Sequence, residues 1–145
     1  MKVEYEEIII DWSSQTLIVN NQIPESVVNK KDCLYMIYGN HHIYGHTLLY
    51  IGKSIDAKRR LEQHLKSVFG YVNGLSIAFG EVKRGLESKR LEIPESILIA
   101  NHKPAFNKEY IHTLDNEAMK EKIIIINNGD NGMLKTCCTN FWWVD

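Results

Sequence analysis

The apolar residues of this chain come mostly in short, β-branched runs cut by turn-forming residues, and that punctuation points to a fold built on a sheet. Residues 3–11, 15–20, 33–38, 47–52 and 75–82 each have the length of one strand. Trp12-Ser13-Ser14 parts the first two and suggests a hairpin, while 39–46, rich in Gly, Asn and His, reads as the loop joining the third to the fourth. Near the end, Asn127-Asn128-Gly129-Asp130-Asn131-Gly132 separates strand-like runs at 122–126 and 133–144, a strong hairpin signal. Helical spacing is clear at 55–69, where Ala57, Leu61, Leu65 and Val68 recur and Ser54 can cap the start. Residues 86–100 predict a second helix, with Pro94 starting a turn or kinking it, and 115–121 a short helical stretch. The expected architecture is α+β: a small central sheet flanked by helices, with added hairpins at both ends.

No repeat, low-complexity tract or linker divides the 145 residues, so one domain is expected over 1–145. The sequence contains no apolar run long enough to span a bilayer and no leader-like start, so a cytoplasmic protein without membrane contact is expected. Cys33, Cys137 and Cys138 lack paired zinc-type spacing, and neighbours on a strand point to opposite faces; reduced thiols are expected. Lys and Arg number 17 against 18 Asp and Glu. A generic nucleic-acid binder carries more positive charge than this. The charge is nevertheless sorted: Lys53, Lys58, Arg59, Arg60 and Lys66 cluster, as do Lys83, Arg84, Lys89 and Arg90, whereas Glu4, Glu6, Glu7 and Asp11 gather near the N-terminus.

Several side chains stand at chemically useful intervals. Tyr50-Ile51-Gly52-Lys53-Ser54 ends a strand just before a helix, and Arg60 and His64, four residues apart, project from one face of that helix. Tyr35 lies on the preceding strand, from which it can pair across to that of Tyr50. Glu95, on the second helix, precedes Asn107 by twelve residues, with Lys103-Pro104 between. A carboxylate able to hold a metal and an arginine able to face a phosphate are the minimum equipment for phosphodiester hydrolysis.

Leu34-Tyr35, then Leu49-Tyr50-Ile51-Gly52-Lys53-Ser54, Arg60-Leu61, His64, Glu95-Ser96-Ile97-Leu98-Ile99 and Lys103-Pro104-Ala105-Phe106-Asn107 together resemble the GIY-YIG nuclease family. The last segments are especially similar to those of the incision subunit of bacterial nucleotide excision repair. The likeness covers roughly 32–108, leaving an N-terminal β extension, 1–31, and a C-terminal extension, 109–145. Cys33-Leu34-Tyr35 stands where the family has Gly-Ile-Tyr, the interval from Tyr35 to Tyr50 is longer than usual, and Pro94 directly precedes Glu95.

The resemblance implies a compact three-stranded antiparallel sheet flanked by helices and a metal-dependent endonuclease acting on nucleic acid, with DNA the expected polymer. It further implies one Mg²⁺ or Mn²⁺ ion with Glu95 as its sole protein ligand. Arg60 would stabilise the phosphorane-like transition state, and Tyr35 or Tyr50 would orient the attacking water or take its proton. His64 would bond a tyrosine or relay that proton, and Asn107 would hold the site together. Lys53, Lys58 and Arg59 would contact the substrate.

Alternatives stand beside these readings. The tyrosines also suit ordinary half-buried strand positions, Arg60 and Lys58 a solvated helix face, and Glu92 is a rival metal ligand. His41, His42 and His46, with Cys33, raise a zinc site against a substrate-side loop. Phe141-Trp142-Trp143 suits base stacking or, more simply, core packing or a dimer contact. At the level of function, the rival is a catalytically silent nucleic-acid-binding or dimerising protein; a homodimer is equally compatible with an active nuclease.

Overall fold

The computed structural model describes residues 4–85 and 90–144. Its strands are β1 (Glu6–Trp12), β2 (Thr16–Leu17), β3 (Cys33–His41), β4 (Gly45–Ser54), β5 (Ser76–Arg84), β6 (Ile123–Gly129) and β7 (Cys137–Thr139); the two α-helices are α1 (Ala57–Leu65) and α2 (Glu92–His102). All the strands join one sheet in the order β4-β3-β5-β1-β6-β7, with β2 beside β5. This corrects the expected small three-stranded sheet flanked by helices: the chain is α+β, but dominated by a large sheet curled into a half-barrel and served, among the described residues, by only two α-helices.

The N-terminal segment accounts for much of that difference. Instead of closing a hairpin, β1 lies antiparallel to β5 and parallel to β6, and β2 continues along β5. Its buried residues, Ile8, Ile10 and Trp12, alternate along the strand and need a core on that face, which a two-stranded ribbon cannot supply. Trp12 Nε1–H donates to Asn127 Oδ1 at 2.9 Å, tying β1 to β6 through a buried contact. Asn127, Asn128 and Gly129 are consequently strand residues, and the reversal to β7 comes later. The expected strand at 133–144 shortens to β7, and Phe141–Trp143 form a 3₁₀ turn.

Residues 39–46, expected as a loop, extend β3 and β4 into a hairpin whose pairing persists from Cys33↔Ser54 to His41↔Gly45. A bulge between Ile37 and Tyr38 shifts the register. Strand β3 is covered on both faces. Leu34, Met36 and Tyr38 share a cluster with Ile97 and Leu98 of α2, and Cys33, Tyr35 and Ile37 share another with Ala57 and Leu61 of α1. Alternation along one strand thus serves two cores.

Helix α1 begins later than expected. Asp56, not Ser54, is its N-cap, accepting the Arg59 N–H at 3.3 Å, while Ser54 Oγ accepts from Asp56 N–H. In α2, Pro94 occupies the first turn, where its missing N–H breaks no intrahelical bond. The part of the expected second helix at 86–89, together with Lys89, lies outside the described residues. The stretch at 115–121 is a 3₁₀ helix, Asn116–Met119. Cys137 is exposed and Cys138 buried, and both, like Cys33, are free thiols. No helix among the described residues is long and apolar enough to cross a membrane.

Candidate active site

The site begins with a phenol laid over a glycine. Tyr35 on β3 pairs with Gly52 on β4, and its ring crosses the space a side chain there would fill. A Cβ on Gly52 would come within 2.5 Å of Tyr35 Oη and 2.8 Å of the Tyr50 ring. Tyr35 and Tyr50 stack with centroids 6.0 Å apart. Helix α1 then brings Arg60 and His64 onto the two phenols from one face. Arg60 Nε–H donates to Tyr35 Oη and an Nη–H to Tyr50 Oη, both at 3.3 Å, while the other Nη donates to Gln63 Oε1 at 3.1 Å.

Tyr35 Oη is also 2.7 Å from His64 Nε2. A guanidinium has no acceptor, so Tyr35 accepts from Arg60 and has its own proton left to give. Where that proton is given to His64 Nε2, the imidazole is the tautomer protonated at Nδ1. Burial, and secondarily the Arg60 charge, lower the His64 pKa to about 4, so the ring is neutral at pH 7. Burial, then the neighbouring Tyr50, push the Tyr35 pKa far above the ordinary phenol range. Burial works against the charge on Arg60, but the two phenol oxygens outweigh it and its pKa rises. The cluster is therefore a protonated phenol, a neutral imidazole and a guanidinium.

These groups form one wall of a cleft of about 630 Å³ whose lining includes Tyr50, Arg60, His64, Glu95, Phe106 and Asn107. Glu95 comes from the first turn of α2. Burial raises its pKa to about 7; Lys53 opposes the shift, and Glu92 and Glu109 add to it. Lys103 turns the chain at the end of α2 in the left-handed conformation, φ 45°. The chain then runs along the free edge of β4. Phe106 N–H donates to Leu49 C=O at 2.8 Å, and the Asn107 amide both accepts from Ile51 N–H and donates to Ile51 C=O at 2.9 Å. Asn107 thus mimics a paired strand residue and closes the sheet edge beside the cleft.

Five of the expected residues, Tyr50, Arg60, His64, Glu95 and Asn107, line this cleft, and Tyr35 lies buried behind them. Three others do not line it. Lys53 pairs with Glu92 at 3.0 Å in a separate groove that also holds Asp32 and Glu81, Lys58 pairs with Glu62 at 3.4 Å, and Arg59 points to solvent. Glu92 also meets Arg90 at 3.8 Å, and although burial opposes it, the surrounding N–H and cations lower its pKa. Of the two carboxylates weighed on this helix, only Glu95 faces the cleft.

Gln63, Phe69, Lys108, Glu109 and Tyr110 also line the cleft and were not singled out from the sequence. Gln63 sits one residue before His64, and Lys108 to Tyr110 follow Asn107, so proximity in sequence was the only signal. His41, His42 and His46 gather at the hairpin turn, whereas Cys33 is at the far end of β3. No group of three or more potential metal-ligating side chains occurs among the described residues. No family model, curated protein or solved structure matches this chain.

Proposed function

We propose that this protein is a metal-dependent endonuclease that hydrolyses phosphodiesters of nucleic acid, with DNA the expected polymer, in the cleft between Arg60 and Glu95. The observation carrying the reading is one guanidinium held across two tyrosine oxygens, beside a neutral histidine and in the same cleft as a partly buried carboxylate. Two stacked phenols and a shared arginine go beyond what packing requires, because even a partly buried cation loses solvation that its partners must replace.

Glu95 offers a hard oxygen donor, a raised pKa that a nearby cation would lower, and cleft space for retained waters, which suits one Mg²⁺ or Mn²⁺ ion. When bound, such an ion polarises a non-bridging phosphate oxygen and helps to activate water. Arg60 is pre-aimed: its bonds to both tyrosines fix the guanidinium before substrate arrives, so stabilising the extra transition-state charge needs little reorganisation. Tyr50 accepts from Arg60 and keeps its own proton to direct into the cleft, where it can hydrogen-bond the attacking water or a phosphate oxygen. Tyr35 and His64 act behind it as positioning residues that hold Arg60.

Incubation of plasmid, linear duplex, single strand, flap, junction and RNA with Mg²⁺ or Mn²⁺, comparing wild type with Glu95→Ala, tests the reading. Metal-dependent cutting lost in the variant is expected. A wild-type protein that binds one of these substrates and leaves all of them intact would instead favour the catalytically silent module.

A further inference from the structure

The turn joining β3 to β4 carries a column of rings for which the chemistry above has no use. His41 stacks on His42 and on Tyr44, each pair with centroids 4.6 Å apart and planes within 26°. The column is built into the backbone, because His41 Nδ1 accepts the N–H groups of Ile43 and Tyr44 at 3.0 and 3.2 Å. His42 is exposed and Tyr44 is 69% exposed, so ring surface remains open to solvent.

The column also connects to the catalytic cleft. His41 touches Phe106 with centroids 5.8 Å apart, Phe106 touches Phe69 at 5.4 Å, and Phe69 touches His64 at 4.9 Å. On the outer side, Tyr44 and Lys103 line a groove of about 420 Å³ that shares Asn107 with the cleft. No carboxylate occurs from Cys33 to Gly52, so a polyanion following this hairpin meets no like charge from it.

Resting on the nuclease reading, we propose that Tyr44, with His41 and His42 beneath it, is a stacking platform for an unpaired base a few nucleotides from the scissile phosphate, since the ring contacts lead from His41 to His64 in three steps. The substrate is then a nucleic acid with a single-stranded segment on that side of the cut, not a continuous duplex. Exposed rings accept any base by its π-face, whereas a base within a duplex already has both faces covered. A tyrosine held by a preformed turn also loses little conformational freedom on binding.

The test is fluorescence anisotropy in metal-free buffer, with a labelled single-stranded oligonucleotide and its duplex, using full-length wild type, Tyr44→Ala and Tyr44→Phe. Tyr44→Ala is expected to bind the single strand about 5- to 150-fold more weakly, the range that base–aromatic stacking spans. Duplex affinity and the melting temperature should stay unchanged, and Tyr44→Phe should restore single-strand binding. Undiminished single-strand binding by Tyr44→Ala, or an equal loss on duplex, overturns the platform while leaving the nuclease reading standing. A wild type that binds neither form, and cuts none of the substrates named above, overturns both.

Discussion

At the scale of single residues, the site depends on what is absent at position 52 as much as on what is present around it. Gly52→Ala would force Tyr35 or β4 to move, since the new methyl meets phenol and ring atoms far inside contact distance. Cleavage should fall at least as far as in Tyr35→Phe, and circular dichroism should still report a folded sheet; a fully active alanine variant would show that the stacked phenols are dispensable. His64 gives a pH signature. Its folded pKa, about 4, lies below the ordinary 6.5, so between those values the unfolded chain binds the extra proton and stability drops as pH falls. Above pH 6.5 this contribution is fully present. Urea melts from pH 7 to 4 should show a loss that is smaller in His64→Gln, on the order of 1–3 kcal/mol at the acid end. Equal pH slopes in the two proteins would contradict the neutral, hydrogen-bonded ring.

At the scale of elements, local chemistry was readable where it acted over a few residues. The four-residue spacing of Arg60 and His64 on α1 and the tolerance of Pro94 both follow from helix geometry alone. The turn at 39–46 was less legible: its Gly, Asn and His composition suggests a loop, yet pairing with β4 and the His41 ring bonds make it strand and tight turn. Composition reports propensity, and tertiary pairing overrode it. The 104–107 segment shows the same limit, because nothing in its sequence says that Asn107 bonds both backbone groups of Ile51. Asn107→Ala leaves the buried Ile51 N–H and C=O without these partners and should destabilise the protein by about 1–3 kcal/mol. It should also loosen the cleft. Unchanged denaturation midpoints would mean that the sheet edge does not need the amide.

At the scale of the whole molecule, the sequence revealed the strands but not the sheet. A parallel pairing between β1 and β6 joins Ile8 to Ile125 across most of the chain, and no local pattern encodes it. The alternating Ile8, Ile10 and Trp12 did signal a buried face, but a hairpin and a central strand read alike over seven residues. The terminal segments are therefore part of the core. Removing residues 4–14 would expose the flank of β5 and the buried side of β6, and the truncated chain is expected to lose its cooperative thermal transition. Retention of a sharp melt by that truncation would show that the remainder forms a self-sufficient unit.

The most direct test of the central claim is the single-turnover rate of cleavage at saturating Mg²⁺ for wild type and Arg60→Ala, on whichever substrate the panel identifies. With the guanidinium gone and the fold intact by circular dichroism, the rate should drop by about 10²- to 10³-fold, the cost of removing one preorganised donor from a developing charge. A folded Arg60→Ala protein that cleaves as fast as wild type would contradict a mechanism centred on this arginine and its two tyrosines.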